Sequence, residues 1–548
     1  MWRRIFPMVL ICAIAMDPLV FGQVGIGSAQ AFSSFGIVPV PASLFLPVVT
    51  YNSGGYFPTA LAIADVNGDG KPDLLVASTC MVNDCSTGEV SVLLGNGNGT
   101  FNAPVSYSSG GAGATSLAVS DVNGDKKADI VVANCGPFGL NTCGVANSGN
   151  GVLGVLIGNG DGTFQTAVKY DSGGKAAASV AVADINRDNN PDLLVADECG
   201  STSTCLPGSA GVLLGNGDGT FQPAVVYDTK YDVGYISAED VSGDGNLDLL
   251  LASRGNNRVG VLIGNGDGTF QPIAIYQPGG ISTSSIVAAD VNADGTRDLL
   301  VSNGCAIGGC TSGSASVLKG NGGGSFQAPV SYNSGGRGSR SLGVADLDGD
   351  GAFDLVVANP FDDTVSVLLG NGDASFQFAL TYGSGAYHPT SVAVSDVNGD
   401  RQPDMVVVNA CVSSVNCSNG VVSVLLNQSL PPDSTPPAIT LTATPTVLWP
   451  PTERMVRVRI FGRIAETGSG LREGSLEYAV TDEYRLVQPR GHFTVNADGT
   501  YSFAILLRAS REGRDKDGRR YIIRVSASDK AGNRGAAWQT VIVPHDTK

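Results

Sequence analysis

The stretch DVNGDGKPDLLVAS, residues 65–78, decides the fold of this chain, because its nine-residue acidic pattern occurs seven times along the sequence. Every copy has oxygen-bearing side chains at positions 1, 3, 5 and 9, and four copies have Gly at position 6. A Ca²⁺ ion takes about 6–8 oxygen ligands, and a short loop supplies them only when alternate side chains converge and the backbone turns sharply. The repeat therefore predicts calcium-binding loops. The copies span residues 65–73, 121–129, 184–192, 240–248, 290–298, 346–354 and 396–404.

The predicted calcium ligands occupy the same positions in every loop. Side chains at positions 1, 3, 5 and 9 would bind the ion, and position 7 would bind through its backbone carbonyl. Polar hairpin turns are the alternative, but clustered carboxylates are costly to hold together without a cation. We expect about seven Ca²⁺ ions. The predicted ligands are Asp65, Asn67, Asp69, Lys71, Asp73, Asp121, Asn123, Asp125, Lys127, Asp129, Asp184, Asn186, Asp188, Asn190, Asp192, Asp240, Ser242, Asp244, Asn246, Asp248, Asp290, Asn292, Asp294, Thr296, Asp298, Asp346, Asp348, Asp350, Ala352, Asp354, Asp396, Asn398, Asp400, Gln402 and Asp404.

The seven sites are not expected to be equivalent. The sixth loop, residues 346–354, has four carboxylates and a Gly at position 6. The second and seventh loops have Lys126 and Arg401 at position 6, where the sharp turn favours Gly. We therefore expect the sixth loop to be the best calcium site.

Composition and charge agree with a turn-rich β protein. Gly accounts for 74 of the 548 residues, and charged residues account for only 15%, which disfavours long helices and coiled coils. The formal net charge is −17, and 22 of the Asp residues lie in the seven loops. A strongly acidic surface repels polyanions, so no nucleic-acid partner is expected.

The first residues have the layout of a secretory signal. Arg3 and Arg4 precede an apolar run that ends near Ala15, and small-residue cleavage sites end at Ala15 and Ala31. We favour the second and predict a bacterial-type signal peptide over residues 1–31. No later stretch of 18 or more apolar residues occurs, which predicts no membrane span and a secreted, extracellular or cell-surface protein.

Ten cysteines follow Cys12, spaced as five close pairs. Local pairs behind a signal sequence indicate disulfides in an oxidising compartment. Zinc is the alternative, but no pair has the CxxC spacing and the chain has only three histidines. The predicted disulfides are Cys80–Cys85, Cys135–Cys143, Cys199–Cys205, Cys305–Cys310 and Cys411–Cys417.

Each repeat is predicted to contain four short strands. In the first repeat, apolar runs at 61–65, 73–78, 89–101 and 103–107 are separated by the acidic loop, by the cysteine loop and by the turn GNGNGT. Four-stranded antiparallel units with a period near 50 residues are typical of propeller blades.

The ends of the repeat region predict a closed ring. The chain enters with a lone fourth strand, Phe45 to Tyr51, and leaves with a lone third strand, Val421 to Asn427. Together they would complete one blade and leave no open sheet edge. A linear array of repeats is the alternative, but it does not explain why the ends fall inside a blade. The predicted fold is all-β: a seven-bladed β-propeller over residues 42–427.

A smaller domain is predicted after the propeller. Residues 428–437 form a proline-rich linker, and residues 438–548 alternate apolar and polar positions as in a small β-sandwich. The segment SASDKAGN, residues 526–533, resembles the last strands of bacterial immunoglobulin-like domains. That resemblance implies a spacer or an adhesive module.

The repeats resemble the FG-GAP or VCBS repeat family, whose best-known members are the propellers of integrin α subunits. The resemblance covers roughly residues 45–427 and rests on the acidic loop, its flanking apolar runs and segments such as VSVLLGNGNGTF, residues 90–101. It implies a calcium-loaded propeller. The literal Phe-Gly…Gly-Ala-Pro signature is absent, and no adhesion domain is inserted, so integrin ligand specificity is not implied.

Antiparallel strand order predicts two faces. The acidic loops and the GNGDGTF-type turns lie on one, here the calcium face; the cysteine loops and the SGG-type segments lie on the other, here the disulfide face. Variable loops on a rigid scaffold favour recognition on the disulfide face. Aromatic side chains there suit a carbohydrate or protein surface. The predicted ligand-binding residues are Tyr231, Tyr235, Phe361 and Tyr387.

The predicted function is that of an extracellular binding or adhesion protein. No GxSxG, HExxH or Walker motif occurs, so no catalytic residue is assigned. The alternatives are an enzyme acting on an extracellular polysaccharide, a lyase or a hydrolase with its site at the channel mouth, and a passive structural component of the cell envelope. The sequence predicts neither the ligand nor the oligomeric state.

Overall fold

The structure is a computed structural model that describes residues 43–81, 85–136, 150–199, 207–417, 419–428, 435–466, 470–472, 474–484, 486, 488–496, 498–512, 515–529 and 532–545. The predicted signal peptide lies outside the described residues, as do Cys143, Cys205 and most of the predicted linker. The described part of the chain contains strands, turns and loops but no helix.

Residues 49–425 form strands β1–β29, most of which are apolar runs of four to nine residues. The strands are β1 Val49–Asn52, β2 Tyr56–Ala64, β3 Asp73–Cys80, β4 Glu89–Leu93, β5 Val105–Ser108, β6 Ala114–Ser120, β7 Asp129–Asn134, β8 Asn150–Leu156, β9 Val168–Ala183, β10 Asp192–Cys199, β11 Ser209–Leu213, β12 Val225–Asp228, β13 Tyr235–Glu239, β14 Asp248–Ser253, β15 Arg258–Leu262, β16 Ala274–Tyr276, β17 Gly280–Ala289, β18 Asp298–Ala306, β19 Ser314–Leu318, β20 Gly320–Gly322, β21 Ser325–Phe326, β22 Val330–Asn333, β23 Leu342–Ala345, β24 Asp354–Asn359, β25 Thr364–Leu368, β26 Leu380–Gly383, β27 Tyr387–Ser395, β28 Asp404–Cys411 and β29 Val421–Leu425.

These strands pair as four-stranded antiparallel units, one for each acidic loop. Unit one has the order β2-β3-β4-β5, and units four, five and six are β13-β14-β15-β16, β17-β18-β19-β22 and β23-β24-β25-β26. Units two and three share one seven-stranded sheet, because the long strand β9 ends unit two and begins unit three. The seventh unit is β27-β28-β29-β1. Strands β20 and β21 form a small ribbon within the turn of unit five.

The core lies between neighbouring units. The second strand of every unit is almost entirely buried, as expected for a short apolar run covered on both faces. Leu75 and Val90 of unit one pack with Ile130 and Val132 of unit two in one cluster. Each hydrophobic contact of this kind joins two sheets face to face, so the units stabilise one another and not only themselves.

The units form a closed ring. The first strand of each unit contacts the first strand of the next, and β27 of unit seven contacts β2 of unit one. Strand β1 pairs with β29, with Val49 opposite Val424, and Val76 packs with Val406 and Val408. The predicted pairing of the two end fragments is confirmed, and the linear array is excluded. The chain therefore folds as an all-β propeller.

An aromatic pair links each unit to the next around the ring. The Tyr of each fourth strand lies edge-to-face against a Phe of the following unit, with ring centroids 5.3–5.7 Å apart. This geometry is preferred by aromatic quadrupoles. In the last of these pairs, Phe45 from the start of the propeller contacts Tyr382 of unit six.

The C-terminal region forms two further sheets, of the orders β30-β31-β34 and β33-β32-β35-β36. They share one hydrophobic core, in which Val458 and Leu507 from one sheet pack with Tyr521 and Val541 from the other. The immunoglobulin-like assignment of residues 438–548 stays a prediction. The strands are β30 Ala438–Thr444, β31 Met455–Ala465, β32 Glu477–Asp482, β33 Arg490–His492, β34 Thr500–Arg508, β35 Arg519–Ser528 and β36 Arg534–Val543.

Three of the five predicted disulfides are present and confirmed: Cys80–Cys85, Cys305–Cys310 and Cys411–Cys417. The partners predicted for Cys135 and Cys199 lie outside the described residues. Across the described residues, no helix has the length and apolar character needed to cross a bilayer.

Candidate functional site

The acidic loops share one hydrogen-bonded conformation. In the first loop, the Asp65 carboxylate accepts backbone N–H bonds from positions 3 to 6. Asn67 accepts the N–H of Asp69, and Asp69 accepts the N–H of Lys71. The loop therefore curls around the position 1 side chain. The Oδ2 atom of Asp65 accepts only the Gly70 N–H, so this oxygen keeps a lone pair for a cation.

Two positions of every loop have a left-handed backbone. Position 6 has φ between 64° and 88° in all seven copies, including Lys126 and Arg401. Position 4 also has positive φ throughout, from 57° at Ala293 to 82° at Gly399. Non-Gly residues pay roughly 1–2 kcal/mol for this conformation. The second and seventh loops thus keep the shared geometry despite their side chains at position 6.

The Asp at position 9 is buried and connects two loops of the calcium face. Asp73 accepts the N–H of Val66 in its own loop at 2.9 Å and the N–H of Gly95 in the adjoining turn at 2.7 Å. The same pair of bonds recurs in the other six units. Burial raises the pKa of these carboxyls, to about 7 at Asp354 and about 6 at Asp404.

The sixth loop fits a divalent cation. One carboxylate oxygen each from Asp346, Asp348 and Asp354 lies within 4.8 Å of the others. Calcium–oxygen distances are about 2.3–2.6 Å, so two ligands on opposite sides of one ion are about 5 Å apart. These three residues could therefore share an ion. The other loops carry an amide or a hydroxyl at position 3.

A lysine contacts the acidic cluster in the first two loops. The ammonium of Lys71 lies 3.3 Å from Asp69, and that of Lys127 lies 3.6 Å from Asp125. Both pairs are partly exposed, so they contribute little to stability. A cation bound in these loops would compete with the ammonium for the same carboxylate.

A cavity of about 600 Å³ opens at the mouth of the central channel. Every unit contributes to its lining the residue six positions before the first Asp of its acidic loop, which places the cavity on the axis of the ring. We call it the channel-mouth cavity. Its walls come from the ends of first and second strands, on the disulfide face. The seven residues are Thr59, Thr115, Ala178, Gly234, Ser284, Arg340 and Thr390.

Hydroxyl groups at this position connect neighbouring units. Thr59 hydrogen-bonds the carbonyl of Ala114 in unit two, and Thr390 of unit seven bonds the carbonyl of Pro58 in unit one. Thr115 and Ser284 make the corresponding bonds. Strand pairing slips by one residue at Thr59, and a bulge of this kind re-orients a side chain.

Three charged residues break the pattern of small and hydroxylic residues. Arg340 stands where four other units have Thr or Ser. Glu198 is the next-to-last residue of β10 in unit three, and Arg254 directly follows β14 in unit four. All three line the cavity and interact electrostatically. Burial raises the pKa of Glu198, and burial together with Arg254 lowers the pKa of Arg340 to about 10.

A fourth charged residue, Asp232, holds Arg254 in place. Its carboxylate accepts bonds from the Ser253 hydroxyl and the Gly255 N–H, both at 2.8 Å, and from the Asn256 amide. These donors flank Arg254 in sequence. Asp232 therefore holds the turn after β14 in one conformation, and this fixes the position of the Arg254 backbone at the cavity.

The cavity rim also carries left-handed residues. Eight positions before the first Asp, positive φ occurs at Phe57 (50°), Ala176 (57°), Ser282 (59°) and His388 (55°). Non-Gly residues in this region cost about 1–3 kcal/mol and cluster at binding sites. Phe57 and Ala176 line the cavity. Units one, three, five and seven thus place different side chains on the same left-handed backbone geometry at this position.

The four predicted ligand-binding aromatics are not brought together, and none of them lines the cavity. Phe361 is 66% exposed and Tyr387 is 36% exposed, so both remain available for contact. Tyr231 is only 5% exposed, because its ring packs with Val233 and its hydroxyl lies against Gly260, which has no side chain. Tyr235 is also packed, against the cluster between units four and five.

Sequence reasoning did not find Glu198, Arg254 or Arg340. A signal was available, because aligning the seven repeats by their acidic loops shows a charged residue where the other units have small or hydroxylic ones. Only the closed ring shows that these positions, from units three, four and six, line one cavity.

The fold and the acidic loops define the class: the protein is an all-β propeller built from repeats with acidic loops. A family model described as an FG-GAP-like repeat matches residues 65–132, 143–195, 240–301 and 346–407. The propeller therefore contains FG-GAP-like repeats, as the sequence resemblance predicts. No curated protein matches the chain.

Several solved structures are similar in fold at low identity. A virginiamycin B lyase from Staphylococcus aureus is 12% identical, with a TM-score of 0.41, over 69% of this chain and 99% of that one. A rhamnogalacturonan lyase from Bacillus licheniformis is 14% identical, with a TM-score of 0.41, over 69% and 73%. A protein from Lactobacillus plantarum is 15% identical, with a TM-score of 0.42, over 60% and 84%. Likeness at this level does not bear on what this chain binds.

Proposed function

We propose that this protein is an extracellular, calcium-binding β-propeller that recognises a carbohydrate or a protein surface at its disulfide face. The channel-mouth cavity carries this proposal. It is concave, it is lined by all seven units, and charged side chains stand at three of its otherwise small or hydroxylic positions. Concave sites with a few convergent polar groups on a rigid scaffold are where ligands bind. The FG-GAP-like repeats and the three disulfides support an extracellular binding module.

Calcium has a structural role in this proposal. The ligands would be the side chains at positions 1, 3, 5 and 9 and the carbonyl at position 7 of each acidic loop, with the sixth loop as the best site. A bound ion would neutralise carboxylates that otherwise repel one another. The loops would then be held in the one conformation that all seven share, which keeps the opposite face rigid.

Calcium removal tests the metal part of the proposal. Because an ion that binds only the folded state stabilises it by mass action, we expect the melting temperature to fall in chelator and to recover on adding Ca²⁺. Calorimetric titration of the stripped protein should give about seven ions. Equal melting curves in calcium and in chelator would contradict a structural role for the ion.

Ligand screening tests the recognition part. The wild-type protein should retain ligands on a glycan array or from an extracellular protein extract. A triple variant, Glu198→Gln with Arg254→Gln and Arg340→Gln, should lose them. Arg457→Gln is the matched control, because Arg457 is exposed on β31 and lies outside the acidic loops and the cavity. No retained ligand at all would favour the passive envelope component instead.

A polysaccharide-acting enzyme is the second candidate, and one observation favours it. Glu198 has a raised pKa, lies in a cavity and interacts with two arginines, and perturbed carboxyls of this kind mark catalytic sites as well as binding sites. Incubation of the purified protein with acidic and neutral polysaccharides, followed by detection of new chain ends, tests for turnover. Turnover that Glu198→Gln abolishes would establish the enzyme.

A further inference from the structure

Three of the four charged side chains that line the channel-mouth cavity are available to a ligand within the described part of the chain. Within the described part of the chain, neither the guanidinium of Arg254 nor that of Arg340 makes a hydrogen bond or an ion pair, and the Glu198 carboxylate accepts no hydrogen bond. The carboxylate of Asp232 is instead occupied by three donors. Among the described residues, these two cations and one carboxylate therefore face the cavity with electrostatic interactions but no hydrogen bond between them.

Unpartnered guanidinium groups have a preferred ligand. A guanidinium is a planar fork of N–H donors that matches the two oxygens of a carboxylate, and it stays charged at any physiological pH. Arg254 and Arg340 come from different units yet influence each other electrostatically across the cavity. An anionic group placed between the two guanidinium groups would relieve their repulsion. The Thr or Ser that other units have in place of Arg340 carries no charge and would not attract such a group.

The remaining lining suits a sugar ring. Glu198 can accept hydrogen bonds from ligand hydroxyls. Phe57, held at the rim by its left-handed backbone, offers the aromatic surface against which the C–H face of a pyranose packs. The cavity volume of about 600 Å³ is that of a small-ligand site. A protein surface would instead need about 800 Å² of contact on each partner.

We propose that the channel-mouth cavity binds a saccharide that carries a carboxylate. Arg254 and Arg340 bind the carboxylate, Glu198 accepts hydroxyl hydrogen bonds, and Phe57 packs against the ring. This rests on the proposed function and deepens it, because it assigns the site and the ligand class. Sulfated ligands share the negative charge but not the planar two-oxygen geometry, and the test distinguishes them from carboxylates.

Isothermal titration of the calcium-loaded protein tests the assignment. The probes are trigalacturonic acid and triglucuronic acid, which share the carboxylate but differ in stereochemistry, together with the methyl ester of the first and a sulfated neutral trisaccharide. We expect at least one of the two acids to bind, and the ester and the sulfated sugar to bind at least tenfold more weakly. Arg254→Gln and Arg340→Gln should each weaken acid binding by about tenfold or more, since each removes a charge-assisted bond.

Controls separate binding from folding. Arg457→Gln, at an exposed position of β31, should leave affinity unchanged, and melting temperatures in calcium should match the wild type for all variants. If Arg340→Gln fails to fold, Arg340→Lys replaces it. This variant keeps the positive charge but lacks the planar pair of N–H donors, so it should still weaken binding. No binding of either acid, equal affinity for acid and ester, preference for the sulfated sugar, or full affinity in both arginine variants would overturn the assignment. Neutral glycans or proteins retained in the broader screen would then still support the proposed function.

Discussion

Asp197 is the only ionisable side chain at its repeat position. Five residues after the last Asp of each acidic loop, four units have Asn and two have Ser. In unit two, Asn134 accepts the Ser109 hydroxyl and donates to the carbonyls of Ser109 and Val152. Asp197 accepts the Ser172 hydroxyl at 2.6 Å, but its second oxygen is buried without a partner. Burial therefore raises the pKa of Asp197 to about 7.

Asp197→Asn should make stability less dependent on pH. The folded-state pKa lies above the unfolded value of about 3.9, so the protonated carboxyl stabilises the fold at low pH. That contribution is lost as pH rises through about 7. Since one pKa unit corresponds to about 1.4 kcal/mol, the variant should gain on the order of 1–4 kcal/mol at pH 8. It should gain little or nothing at pH 4.

Chemical denaturation at pH 4, 6 and 8 measures this difference. Asn134→Asp, which makes the reverse change in unit two, is the matched variant and should lose stability as pH rises. A constant difference between Asp197→Asn and the wild type across the three pH values would contradict a buried, titrating Asp197.

The role of a side chain was predictable where the same residue type recurs at the same position of the repeats. Seven copies of one acidic pattern were enough to identify the loops, and the close cysteine pairs were enough to predict local disulfides. Burial was not predictable residue by residue. Tyr231 is one of the predicted ligand-binding aromatics, and its side chain is buried because Gly260 on a neighbouring strand leaves room for its hydroxyl. Such a fit depends on two residues 29 positions apart, and no local pattern indicates it.

At the level of elements, the sixth acidic loop differs from the others by one side chain. Position 3 is Asp348 there, and it is Asn or Ser in the other six loops. Asp348→Asn therefore converts the sixth loop to the form found in five of them. Its carboxylate oxygen lies within 4.8 Å of those of Asp346 and Asp354, so its loss removes charge directly at the proposed ion.

We expect Asp348→Asn to weaken the tightest class of calcium sites by about tenfold, because ligand charge tunes calcium affinity over several orders of magnitude. Calorimetric titration of the stripped protein resolves that class. Asp517→Asn, the same change at an exposed position in the C-terminal region, should leave the titration unchanged. An unaltered tight class in Asp348→Asn would show that the sixth loop is not the best site.

Strand positions were predictable to within a few residues, but strand details were not. The first strand of unit one was expected at 61–65 and begins at Tyr56, because a bulge lets pairing continue past Thr59. Strand β9 was not expected to run on from unit two into unit three. Both features place side chains around the channel mouth, which explains why the cavity could not be predicted from the apolar runs.

At the scale of the whole molecule, Phe45 completes the ring of aromatic pairs. It is 3% exposed, lies 5.3 Å from the Tyr382 ring, and packs in one cluster with Leu347 and Val367. Phe45→Ala should cost about 3–5 kcal/mol, the usual range for a buried Phe. The loss should appear as a lower denaturation midpoint of the whole propeller, since the closing sheet supports both of its neighbours.

Leu46→Ala is the control, because the adjacent Leu46 side chain is 43% exposed, and it should cost much less. Phe164→Ala, which removes the equivalent ring from the interior of the chain, should cost about as much as Phe45→Ala. A small effect of Phe45→Ala beside a large effect of Phe164→Ala would show that closure contributes little to stability.

Because β1 pairs with β29, the ring can close only late in translation. Strand β1 is the first propeller strand to leave the ribosome and β29 is the last, so the seventh sheet can form only after translation has passed Leu425. Any product truncated before that point carries an unpaired edge at each end of its row of sheets, and such edges promote aggregation and proteolysis. The pairing of β1 with β29 therefore selects by chain length, because only translation products that extend past Leu425 can close the ring and become resistant to proteases.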